Sequence, residues 1–144
     1  NRFMFFYIKM LSMKKDITSR QDIELLVNEF YSRVKQDPVI GFVFTDIAKV
    51  NWEKHLPVMY DFFENMLFYT GSYTGNPMEL HKHINRILPL NETHFKQWEY
   101  LFCKVVDELF EGPTAELVKQ RAKSISAIMQ IKIKEANSSA DKIY

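Results

Sequence analysis

One cysteine, Cys103, is all the thiol chemistry this chain carries. That excludes an intrachain disulfide, and it excludes a zinc or iron–sulfur site built from the cysteines of one chain. Set in "YLFCKVV", Cys103 reads as a small buried hydrophobe. Glycine is scarce as well, with four among 144 residues, and the five prolines fall mostly between periodic segments. A turn-rich β architecture is thereby disfavoured and helices are expected. Neither sign of charge prevails: 19 Lys and Arg meet 18 Asp and Glu, giving a net charge of +1. The balance offers no electrostatic ground for a nucleic-acid partner. The apolar opening, "NRFMFFYIKMLS", is too short to span a bilayer and lacks a small-residue cleavage site. With Met13 and "KKDITS" behind it, residues 1–12 read as an extension ahead of the domain. The expectation is a cytoplasmic protein without a membrane partner.

What the chain has in quantity is ring surface: 12 Phe, 7 Tyr and 2 Trp. Such a load in one small domain implies either a very bulky core or a pocket that wraps something large, flat and apolar. At 47% hydrophobic and 26% charged the chain is otherwise ordinary for a globular protein. The domain is expected over residues 13–134, with residues 135–144 a frayed tail where hydrophobic periodicity is lost.

The periodic segments are helical. Ser19 and Asp22 stand at capping-box spacing, and Ile23, Leu26, Val27, Phe30 and Val34 then recur on one helical face. "KQDPVIG" ends that helix, since Pro38 disfavours helix at Asp37. A second long helix is expected from about Asn51 to Tyr69, with His55, Met59, Phe62, Phe63 and Met66 along one stripe. "TGSYTGNP" reads as a loop and "MELHKHINRI" as a short helix. Asn91 is a plausible cap for a third long helix burying Phe95, Trp98, Leu101, Phe102, Val105, Val106 and Leu109. After "EGPTAE", with Thr114 a candidate cap, a last helix carries Leu117, Val118, Ala122, Ile125, Ile128 and Met129 on one side.

Two of the four histidines, His81 and His83, stand two apart. On a helix they point about 200° away from each other, so they cannot grip one ion together. His81 lies on the side of Leu80, Ile84, Ile87 and Leu88; His83 keeps company with Lys82 and Arg86. A lone inward histidine is usually a hydrogen-bonded core residue, and no zinc-like ligand spacing surrounds it. A metal that needs only one protein ligand inside a large apolar pocket is haem iron, whose porphyrin supplies the remaining in-plane donors. His55, Tyr31 and Trp98, each on an apolar face, carry polar ring atoms that need partners when buried; singly, each is more often structural.

In "NEFYSRVKQDPVIGFVF", "WEKHLPVMYDFFENML", "YTGNPMELH" and "HFKQWEYLF" the chain resembles the group III truncated haemoglobins, from about residue 17 to residue 133. The absence of Gly-Gly pairs at helix boundaries fits that group. The resemblance implies an all-α, globin-like fold, a truncated two-over-two helical sandwich. It implies haem b (iron protoporphyrin IX), with His81 as the iron ligand. Tyr31, His55 and Trp98 correspond to distal residues facing a bound O2, NO or CO. Phe44 corresponds to the phenylalanine stacked on haem, with Phe42 close by, while Phe30, Met59, Phe62 and Phe63 would line the distal wall. Arg86, like Lys82, is near enough in sequence to be considered for the haem propionates. His94 matches a common histidine at that helix start, for which a capping or surface role is the simpler reading.

The function implied is gas binding in NO and O2 chemistry rather than bulk oxygen transport. A nitric oxide dioxygenase or peroxidase-like enzyme served by a separate reductase is the alternative, since no flavin or nicotinamide motif is present. A haem-free helical interaction module is the remaining one.

Overall fold

The computed structural model describes residues 1–11, 13–71, 73, 75 and 90–141. His81, His83 and Arg86 lie outside the described residues. The described residues form α1 (Arg2–Leu11), α2 (Arg20–Gln36), a π-helical turn (Val43–Ile47), α3 (Trp52–Phe68), α4 (Glu92–Leu109) and α5 (Pro113–Asp141). None of these helices is long and apolar enough to cross a membrane.

Local chemistry sets most of the helix ends. The Ser19 side chain accepts from the Asp22 N–H, and Asp22 accepts in return from the Ser19 N–H, closing the expected capping box of α2. At the other end Asp37 is extended ahead of Pro38, and its carboxylate takes the N–H groups of Val39 and Ile40. Asn51 caps α3, and Tyr69 closes it in the left-handed region at φ 55°. Asn91 caps α4 by accepting from Thr93 and His94, while its own N–H donates to His94 Nδ1 at 3.1 Å. His94 therefore has the capping role expected of it.

Thr114 does not cap α5. The helix begins at Pro113, and the N–H groups of Thr114 and Ala115 donate to Asp16, 98 and 99 residues away in sequence. Burial opposes the Asp16 carboxylate, but these N–H groups outweigh it and hold its pKa below the usual carboxylate range. The tight approach requires Gly112: its φ is 141°, and a Cβ there would lie 2.5 Å from Asp16 Cγ. Helix α5 also continues to Asp141, through most of the stretch whose weak periodicity reads as a frayed tail. Val118, Ala122 and Met129 of the expected face of α5 are buried, whereas Ile128 is 54% exposed and Ile133 extends the inward side.

Helix α2 packs on α3 and on α4, α4 packs on α5, and α3 touches α5 lightly. The result is one helix pair, α2 and α3, laid over a second, α4 and α5. The core is filled where these layers meet, by Leu26, Val27 and Phe30 of α2, Phe63 of α3, and Phe102, Val105 and Val106 of α4. Each such burial contributes roughly 1.5–3 kcal/mol for the larger side chains. Phe102 is the hub: it stacks on Phe63 at 5.3 Å and on Trp98 at 5.7 Å, and meets Phe30 edge-on at 5.2 Å. Arg20 bridges α2 to Asp61 and Glu64 of α3, and Arg33 bridges it to Glu108 of α4. These pairs are partly exposed, so each contributes at most about 1 kcal/mol.

Asp22 makes acid stability testable. Burial pushes its pKa up, yet the Lys15 ammonium at 2.5 Å and the Thr18 N–H prevail and bring it to about 2. The ordinary unfolded value is about 3.9, so a depressed folded pKa stabilises the fold above that pH, by about 2 kcal/mol. This contribution is expected to be lost as pH falls from about 4 through about 2. Acid unfolding of an Asp22→Asn variant, followed by circular dichroism, should show that part of the pH dependence removed. An unchanged profile would mean that Asp22 plays no such role.

Candidate ligand-binding cavity

A cavity of about 330 Å³ opens between the two helix layers. Tyr31 of α2 and His55, Met59, Phe62 and Phe63 of α3 form one wall. His94, Phe95 and Trp98 of α4, with Ile125, Ser126 and Met129 of α5, form another. The corner between α2 and α3 contributes Ile40, Val43, Phe44, Ala48 and Val50. The walls are overwhelmingly apolar. Among the described residues, other hollows lie around Cys103, among charged side chains, and between Leu90 and α5.

Tyr31 and His55 meet on one wall of the cavity. Tyr31 is 5% exposed, and its hydroxyl lies 3.4 Å from His55 Nε2, the His55 tautomer deciding which of the two donates. Burial pushes the Tyr31 pKa well above the ordinary phenol range, so the hydroxyl keeps its proton. The two rings meet nearly at right angles, 5.3 Å apart. Trp52 stands behind both, 5.3 Å from Tyr31 and 5.8 Å from His55, and stacks on Phe44 at 6.3 Å. Lys35 covers its ring at 4.3 Å. Trp98 lies flat against Phe102, so its orientation is set by the core.

Of the residues singled out from sequence, Tyr31, Phe44, His55, Met59, Phe62, Phe63 and Trp98 all line this cavity. Phe44 is the corner phenylalanine that does so; Phe42 is 38% exposed and takes no part. Phe30 requires a correction. It is fully buried one layer back, edge-on to Trp98 and Phe102, because the inward face of α2 turns it toward α4 rather than toward the opening. His81 and Arg86 belong to the stretch 76–89, outside the described residues. Gly75 and Leu90, the described residues on either side of that stretch, both line the cavity.

Sequence reasoning passed over Trp52 and Ser126. Trp52 lies one turn before His55, a spacing that signals contact on a helix. Ser126 is the buried polar side chain among the described residues, 1% exposed, and accepts from Gln130 Nε2 at 3.4 Å. It stands four residues after the buried Ala122, so the stripe drawn on α5 predicts its inward position. Among the described residues no group of three or more His, Cys, Asp or Glu is placed to hold a metal ion.

Fold and cavity together describe a globin-like arrangement: two helix pairs packed one over the other around an apolar cavity. Group 3 truncated hemoglobin ctb of Campylobacter jejuni is 26% identical to this chain over 121 residues, 82% of this chain and 93% of that protein. The crystal structure of group III truncated hemoglobin from Campylobacter jejuni superposes with a TM-score of 0.74 at 25% identity, covering 84% of this chain and 95% of that one. No family profile matches the sequence. The resemblance to group III truncated haemoglobins read from the motifs is thus borne out in both sequence and structure.

Proposed function

We propose that the cavity binds haem b, ligated by His81, and holds a diatomic gas (O2, NO or CO) against Tyr31, His55 and Trp98. The observation that carries this reading is a largely apolar cavity lined by Tyr31 and His55 from one helix pair and by Trp98 from the other, which Gly75 and Leu90 also line. The residues present suit haem. Apolar and aromatic walls from α2, α3, α4 and α5 accept a large flat macrocycle, and the segment carrying His81 is attached at both its ends to residues of the cavity wall. Haem supplies an iron atom with one open position for a small ligand.

Tyr31, kept protonated by burial, donates to the gas, and the apolar walls around it strengthen that bond. Trp98 offers an indole N–H from the opposite helix pair. His55 holds the Tyr31 hydroxyl in place. Donors of this kind slow ligand escape, which suits NO and O2 chemistry better than bulk transport. Turnover as a dioxygenase or peroxidase would draw electrons from a separate reductase.

Titration of the purified protein with haemin, followed by absorption, tests the reading. One haem per chain with a sharp Soret band is the expected result. Failure to take up haem would leave a helical interaction module and overturn the proposal.

A further inference from the structure

Among the described residues, helix α1 carries the longest unbroken run of exposed large apolar side chains. The six consecutive side chains from Phe3 to Ile8 expose 58–87% of their surface. Successive helical positions step about 100° around the axis, so six in a row reach every side of the helix. Among the described residues no helix packs extensively against α1. A groove on a protein, or a second copy of this helix, would bury one stripe and leave the other rings in water. A solvent that is itself apolar covers a broad arc.

The charge on α1 names that solvent. Arg2–Leu11 contains no acidic residue, and its two cations, Arg2 and Lys9, stand seven positions apart. Seven positions are nearly two full turns, so both lie on one line of the helix, with Phe5 and Phe6 next to that line. A narrow cationic line beside aromatic rings, with apolar residues over the remaining arc, matches the boundary between anionic headgroups and acyl chains. Ten residues measure about 15 Å, half the hydrocarbon thickness of a bilayer, so the helix lies along the surface and does not span. We infer that α1 is an interfacial helix that docks this protein on an anionic lipid surface.

Co-sedimentation of the full chain with vesicles decides the matter. The parent should bind vesicles of phosphatidylcholine and phosphatidylglycerol in equal parts at least about tenfold more tightly than pure phosphatidylcholine, and raising the salt should weaken that binding. Phe3→Ser, Phe5→Ser and Phe6→Ser combined should cut binding at least about tenfold, with the thermal midpoint unchanged because these rings leave the core untouched. Arg2→Gln with Lys9→Gln should abolish the preference for phosphatidylglycerol. No sedimentation of the parent, or equal sedimentation of the triple serine variant, would overturn the inference. So would a parent that is dimeric without binding vesicles and becomes monomeric in the triple serine variant, since that result assigns α1 to a second copy of the chain.

Discussion

Replacing His81 with alanine is expected to weaken haem binding by more than about 100-fold and to displace or abolish the Soret band. Loss of a supporting contact to a metal ligand already costs 10- to 100-fold, and loss of the ligand itself should cost more. Among the described residues two histidines, His55 and His94, line the cavity, and the prediction separates their roles from that of His81. His55 Nε2 faces the Tyr31 hydroxyl at 3.4 Å, and His94 Nδ1 accepts the Asn91 N–H at the start of α4. Each is committed to a partner within the protein, so His55→Ala and His94→Ala should retain a bound haem with an imidazole spectrum. Added imidazole should restore the Soret band of the His81 variant, because a neutral imidazole supplies the missing donor. An unchanged spectrum in His81→Ala would transfer the ligand role to another histidine and refute the assignment.

Removing one oxygen atom, in Tyr31→Phe, is expected to speed O2 release by about 10- to 100-fold. A hydrogen bond to a charged or strongly polarised group contributes about 1.5–3 kcal/mol, and about 1.4 kcal/mol is a factor of ten in rate. The ring itself should stay where it is, since Phe30, Phe44, Trp52 and His55 surround it at centroid distances of 5.0–6.0 Å. Burial raises the Tyr31 pKa, so the hydroxyl remains a donor throughout neutral pH and should impose no pH dependence on release below about pH 10. Stopped-flow displacement of O2 in parent and variant measures the effect. Equal release rates would remove Tyr31 from the ligand's surroundings and leave it a core residue.

Tyr31 and Trp98 mark how far the sequence could be read. Each lies on a stripe that helical periodicity identifies, and the capping boxes at Ser19 and Asn91 place their helices to within a residue or two. These signals are legible because their partners lie within one turn. The cap of α5 was not, since Asp16 and Thr114 are brought together only by the packed fold. Phe30 and Phe44 show the same limit from the other side. Both correspond to pocket residues through the resemblance; Phe44, in the turn before α3, lines the cavity, whereas Phe30 lies on a helical stripe whose arc can serve a core and a cavity at once. Which part faces which depends on where the neighbouring helix crosses.

The sequence by itself determined a helical fold, excluded an intrachain disulfide, and marked most of the helix faces that turn inward. It could do so because hydrogen bonding, capping and periodicity act over a few residues. The tertiary structure alone decided that Tyr31 meets His55, 24 residues later, that Trp52 backs them both, and that Trp98 faces the same cavity from another helix. Those meetings depend on the angles at which helices cross, and the angles come from ridges of side chains settling into the grooves of a partner helix, a property of the packed molecule.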